Sequence, residues 1–492
     1  LYAESGGRLE LTSVTMNGSS GSVSFADGSA GWLTGSTLAN TSLHVSSDVV
    51  TVDGNTFGDD NPIYVSASLL PEVFDNTFDR GGSNQTIHVT GGTVDADAAW
   101  NVVGGASTYR IDGDMTVASG ATLTLGSGVQ LYWGHESYDL FVDGTLVADG
   151  ASFTGYSNEY PEIRVRDGGL GQIQSSSFDF RSYLYAETGG RLELTSVTMN
   201  GSGSVLFQSG SEGLITGSDP ESVYVYDSDV SLSDSLMYTL RLYSDAEPTV
   251  SALTLTGADP LYAHAGYLPT LFANATFDRG GSAQRIHVTG GTVDVDSIWP
   301  VVGDASTYRI DGDITVASGA TLTLGSGVQL YWGHVNNDLF VDGTLVADGA
   351  SFTGYSNGYP EIRVREGGLG QISNSSFDYP SYLYAESGGR LELTSVTMNG
   401  SGSVRFYSGS EGLVTGIDPE SVYVYDSDVS LSDSSMDTLR LYSDAEPTVS
   451  GLTLTDWDPL YTHAGYLPAL LANATFDRDG LAQTIHVTGG TV

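Results

Sequence analysis

Asp112 with Asp114, and Asp143 with Asp149, are pairs of the kind that acid and base work requires: two carboxylates within a few ångströms of one another. Both pairs sit in Gly-flanked turns, and both return later in the chain as Asp311 with Asp313 and Asp342 with Asp348. A dedicated active site is built once, whereas a turn aspartate bonding its own backbone recurs wherever the turn does, and that is the expected role here. The histidines behave the same way. His88, His287 and His486 share the segment IHVTGG, His135 and His334 share WGH, and His264 and His463 share a third position. None has a second histidine at metal-ligand spacing, so structural or sheet-edge roles are expected. No resident cofactor is expected, with one exception to weigh. Calcium is the metal to consider, because Asp227, Asp229 and Asp234 in DSDVSLSD, with their copies Asp426, Asp428 and Asp433, cluster hard oxygen ligands. Against it, neither a calcium-binding nonapeptide repeat nor an EF-hand loop is present, and solvated surface acidity explains the same residues. Asn17, Asn200 and Asn399 in MNGS, and Asn274 and Asn473 in ANAT, are glycan acceptor sequons if the chain is secreted, and equally ordinary turn residues.

The elements that must carry these residues are short. From Tyr109 to Tyr156 the chain alternates apolar and polar residues in brief runs (TLTL, LFV, TLV, SF), each ended by Gly or Asp-Gly. That is the pattern of strands joined by tight turns, and none of these runs is long enough for a helix. The stretch returns almost letter for letter from Tyr308 to Tyr355, 199 residues on. The opening LYAESGGRLELTSVTMNG recurs at Leu184 and Leu383, so a longer repeat protein is expected to contain these 492 residues. Residues 1–108 read as a partial unit, 109–307 as a complete one and 308–492 as a second, nearly complete one, forming one continuous rod.

Each long unit breaks into nine lines opening with an alternating strand: YRIDGD, DLFVDG, EIRVRD, YLYAET, SVLFQS, SVYVYD, LRLYSD, LYAHAG and RIHVTGG. A line of about 22 residues is one coil of a parallel β-helix, three strands and three turns, and about 22 such coils fit the chain. The fold class is therefore all-β, a right-handed parallel β-helix or β-solenoid. Alternation assigns the faces. Leu140, Ile163, Leu184, Val205, Val223, Leu240, Leu261 and Ile286 form an inward aliphatic column. Outward positions collect Arg164, Tyr185, Tyr224, Arg241, Tyr262 and His287, with Tyr226, Tyr243 and His264 in the neighbouring column. Two readings stand for this face: a ladder in which Tyr and Arg planes stack on their neighbours a coil away, or a docking strip for glycans or a neighbouring rod.

Composition narrows the partners. There are 60 acidic residues against 17 basic ones, the basic ones are all Arg, and the net charge is -43. Phosphate recognition needs clustered cations, so the charge argues against nucleic acid and anionic membranes as partners, and no apolar run is long enough for membrane insertion. The absence of Cys leaves stability to burial and backbone ladders. An Asp-rich, Lys-free surface resembles proteins of extreme halophiles, and a G+C-rich genome favouring Arg over Lys contributes to the same bias.

TYRIDGDMTVASGATLTLGSGVQLYW followed by LFVDGTLVADGASFTG resembles the opening coils of right-handed parallel β-helix repeat regions in large secreted or surface proteins of bacteria and archaea. The resemblance covers essentially the whole chain and is specific for architecture. It implies an extracellular or cell-surface structural repeat protein, a rod, stalk, surface-layer or filament segment with an adhesive role, self-associating or lying against neighbouring rods and cell-surface glycans. The same coil also carries polysaccharide lyases and glycosidases, so a carbohydrate-binding or polysaccharide-degrading module using the Tyr/Arg/His face is the alternative.

Overall fold

A computed structural model of the chain describes every residue except 19, 157–159, 356–357, 444 and 490–492. It is an all-β parallel solenoid of about 23 turns, one more than the repeat length predicts. The chain divides into two compact units, Leu1–Thr254 and Leu255–Val492. In each, a coil contributes one strand to each of three sheets, and strands pair in parallel with those a coil away.

In the first unit the principal face comes from Leu140–Val142, Glu162–Val165, Ser182–Ala186, Gly203–Phe207, Ser222–Tyr226 and Thr239–Tyr243. Here the inward column stacks in the expected register, Leu140 on Ile163, then Leu184, Val205, Val223 and Leu240. All six are buried, each a side chain whose removal from water contributes about 1.5–3 kcal/mol. Leu261 and Ile286 pair with each other in the second unit. Coils vary in length, 23 residues from Leu140 to Ile163 but 17 from Val223 to Leu240. The ladder tolerates this because length is absorbed at corners and not within strands.

Aromatic rings fill the interior on another side. Phe153 and Phe178 stack at 4.5 Å, and Trp100 lies 5.4 Å from Tyr109, whose hydroxyl donates to the Asn101 carbonyl at 2.5 Å. Burial pushes the Tyr109 hydroxyl pKa far up. Gly213 faces the ring of Phe207, where a Cβ would stand 2.1 Å from a ring carbon, so no side chain fits.

Corners are built from polar side chains that reach a neighbouring coil. Fully buried Asn55 accepts from the Ser36 N–H at 2.9 Å and donates to the Leu33 carbonyl at 2.7 Å and to Asn76 at 2.8 Å. Ser176, Ser218 and Ser235 repeat the device, each accepting a backbone N–H from the coil before. Several of the turn aspartates work across coils as well. Asp114 accepts from the Asp139 N–H at 3.1 Å and Asp97 from the Thr122 N–H at 2.9 Å, both 25 residues on, whereas Asp79 bonds its own turn at Gly81.

Stacking departs from the sequence-based line order in one respect. Ala106–Ile111 pairs with Gln85–Val89 and Gln130–Trp133, while Leu140–Val142 pairs with Met115–Val117. YRIDGD and DLFVDG thus lie in different sheets, because both strand families show the same alternation. Arg110 accordingly lies on a separate face, between His88 and Tyr132, whose ring is 5.5 Å from its guanidinium. The second unit also holds two seven-residue helices, Leu268–Asn274 and Leu467–Asn473, each with Pro in its first turn, where a missing N–H costs nothing.

Candidate functional site

The outward face of the principal sheet carries a dense group of chemically capable side chains. In the first unit, register places Phe141, Arg164, Tyr185, Leu206, Tyr224 and Arg241 in one column. The guanidinium of Arg164 lies 4.3 Å over Tyr185 and is enclosed by three carboxylates, donating to Asp139 at 3.2 Å, to Glu187 at 3.1 Å and to Glu162. Arg166 grips Asp143 with two bonds of 2.6 and 2.7 Å and covers Phe141 at 4.4 Å. One cation cannot offset three half-buried anions. Burial raises the pKa of Asp139 and Glu162, and their mutual repulsion and other nearby carboxylates add to it despite Arg164. Burial also works against the Arg164 charge, yet Glu162, Glu187 and Asp139 outweigh it and raise its pKa. Farther along, Arg241 sits 5.8 Å from Tyr224, and Tyr226 stacks on Tyr243 at 4.4 Å and 5°.

Tyr262, His264 and His287, expected in the same columns, belong to the second unit. His287 stacks on Tyr262 at 4.0 Å and is held between two carboxylates, Asp311 at 2.6 Å from Nδ1 and Asp259 at 3.1 Å from Nε2. In the first unit His88 repeats the arrangement with Asp112 at 2.5 Å and Asn61 at 3.0 Å. Burial alone would raise the Asp112 pKa, but bonds from His88 and Arg110 lower it below the ordinary value. His264 packs 6.0 Å from Tyr267.

The second unit repeats the carboxylate cage as Arg363 with Asp338, Glu361 and Glu386, and the Arg365 pair with Asp342. Its ladder is fuller. Arg363, Tyr384, Arg405, Tyr423, Arg440, Tyr461 and His486 alternate down one column. Neighbouring guanidinium–ring distances run from 4.4 to 5.7 Å, and Tyr461 stacks on His486 at 4.3 Å. Beside it Tyr407, Tyr425 and Tyr442 stack with interplanar angles of 14° and 7°. Burial and Glu361 push Tyr384 up to about 12. Arg405 and Tyr407 stand where the first unit has Leu206 and Gln208, a difference that aligning the copies at 199 residues reveals but reading one copy does not.

The remaining candidates lie apart from this face. Asp227, Asp234, Asp426 and Asp433 occupy left-handed corner positions with φ between 38° and 49°, a conformation that Asp tolerates better than most residues. Asp229 and Asp428 begin strands, beside Glu212 and Glu411. Among the described residues no three His, Asp or Glu side chains converge to hold a metal ion. Asn17, Asn200, Asn399 and Asn473 are exposed and Asn274 is half-buried. The Asn200 and Asn399 amides bond Asp179 and Asp378, and those of Asn274 and Asn473 bond carbonyls one helical turn back.

No helix among the described residues is long and apolar enough to cross a membrane. No family model matches the chain, and no curated protein does. Among solved structures, the crystal structure of a TibC-catalysed hyper-glycosylated TibA fragment aligns over 83% of this chain and 98% of that one at 15% identity, with a TM-score of 0.14. At that score the likeness carries no argument about role.

Proposed function

We propose that the chain is a non-catalytic structural segment of an extracellular or cell-surface protein, an elongated rod or stalk that holds adhesive or neighbouring surfaces at a distance. One observation carries the reading: the reactive-looking side chains satisfy one another, and do so twice. The cage around Arg164 recurs around Arg363, the Arg166–Asp143 pair as Arg365–Asp342, and a His–Asp contact at His88 and His287. Of the carboxylates that first suggested acid and base work, Asp112, Asp114 and Asp143 are engaged as corner pieces and ladder partners. Each coil meets only its neighbours, so units can be added without redesign, as a spacer requires. Adding a further copy of residues 109–307 tests this. By small-angle scattering, the nine extra coils should lengthen the particle by about 43 Å at roughly 4.8 Å per coil, with an unchanged melting midpoint. A particle that grows equally in all directions, or an insertion that unfolds the chain, refutes the spacer reading.

A further inference from the structure

The two units share a backbone but not an outward face, and the difference is chemical. Where the first unit places Leu206 and Gln208 beside an open depression lined by Thr188, Ser209 and Tyr226, the second places Arg405 and Tyr407. We propose that the strip over Arg405, Tyr423, Arg440 and Tyr461 binds a linear anionic polysaccharide, one bearing a carboxylate or sulfate on at least every second sugar.

Charge is the first argument. In a chain of net charge -43, the Arg residues of the cages and pairs are neutralised by their own carboxylates. Arg405 and Arg440 have no carboxylate at ion-pairing distance among the described residues; their bonds go to the hydroxyls of Tyr407 and Tyr442. The strands that present them, Ser403–Phe406, Ser421–Tyr425, Thr438–Tyr442 and Leu460–Thr462, contain no Asp or Glu. Two cations thus stand on strands that carry no carboxylate, with Glu361 of the adjoining cage close enough to Arg405 to feel its charge.

Orientation is the second. The guanidinium of Arg405 lies 4.9 Å from Tyr423 and that of Arg440 4.5 Å from Tyr461, while the flanking Tyr407, Tyr425 and Tyr442 rings are nearly parallel. Ring faces are covered by neighbouring planes, so the strip does not offer the open faces on which neutral sugars stack. Both guanidinium groups are half-buried with Nε enclosed, so a carboxylate or sulfate would meet their terminal N–H groups, to which its oxygens are matched.

Spacing is the third. Arg405 and Arg440 are two coils apart, about 9.6 Å along the stack, close to the advance of two sugars in an extended chain. The surrounding acidity repels such a polymer at long range, and screening over about 8 Å at physiological salt confines that repulsion.

This proposal goes beyond the spacer reading and fails separately from it, since the stack can keep its melting midpoint while binding nothing. Calorimetric titration of the chain with polygalacturonate, dextran sulfate and neutral dextran at physiological salt tests it. The first-unit residues supply a safe variant, Arg405→Leu with Tyr407→Gln, and Arg440→Gln is the second. At least one polyanion should bind and dextran should not, and which polyanion binds tells uronate from sulfate. Each variant should weaken binding about tenfold, the loss of one charge-assisted contact, while melting like the parent. Arg8→Gln, on the first unit, should change nothing. No polyanion binding, equal binding of dextran, or variants that bind as the parent does would overturn the proposal. So would self-association abolished by Arg405→Leu, which would assign the strip to a second copy of the chain.

Discussion

Replacing Arg363 by Gln removes the cation that bonds all three carboxylates of a cage, leaving Glu361 only the more distant charge of Arg405. Arg363 bonds Asp338 at 3.1 Å, Glu386 at 3.2 Å and Glu361, covers Tyr384 at 4.4 Å, and is 29% exposed. Bonds to charged groups at such half-buried sites contribute about 1.5–3 kcal/mol each before the cost of desolvating the guanidinium, which the variant no longer bears. The net loss should be about 3 kcal/mol, or about 6–12 °C in the melting midpoint of a unit this size. Its pH dependence is the sharper expectation. Burial already raises the Glu361 and Asp338 pKa values with Arg363 present. A carboxyl raised in the folded state favours folding below its unfolded pKa, and that contribution fades as pH rises through the folded value. Without Arg363 both groups rise further, so the penalty should be full at neutral pH and shrink toward about pH 4.5 as they take up protons. Circular dichroism melts of parent and variant across this range read it directly. A loss below about 0.5 kcal/mol at neutral pH, the scale of an exposed ion pair, or one that does not change on acidification refutes the cage argument.

Two other expectations concern corners and charge. Asn55→Ala strips partners from the Ser36 N–H, the Leu33 carbonyl and Asn76, and should cost about 3–5 kcal/mol in chemical denaturation, whereas Asn17→Ala at an exposed turn should cost under about 0.5 kcal/mol; equal losses would contradict the buried ladder. Because self-repulsion at net charge -43 is relieved by screening, the melting midpoint should climb steadily with sodium chloride, and millimolar calcium at matched ionic strength should add nothing. A calcium-specific jump abolished by Asp227→Asn would restore a metal site there.

How far the fold could be read in advance depends on which interactions are local. Alternation in EIRVRD and its fellows is local, and it placed Leu140, Ile163, Leu184, Val205, Val223 and Leu240 in one buried column in correct register. Which strand lies above which is not local: YRIDGD and DLFVDG alternate alike yet join different sheets, and only closure of the three-strand coil separates them. The same limit applies at the candidate site. Asp139, Glu162 and Glu187 are each unremarkable in sequence, and their convergence on Arg164 spans three coils. The turn aspartates were identifiable as corner residues from their Gly neighbours, but the bond from Asp139 N–H to Asp114 requires the stack to exist. The continuous Arg/Tyr alternation of the second unit was within reach, since Arg405 and Tyr407 differ from Leu206 and Gln208 at matched repeat positions.

The central claim is that these coils serve as length. Solution scattering on the 492-residue chain tests it most directly. A compact protein of this size has a radius of gyration of about 23 Å, and the rod proposed above requires a clearly larger value. The larger value is expected, with a further increase when residues 109–307 are duplicated; a value near the smaller one, unmoved in its proportions by the duplication, would contradict the rod.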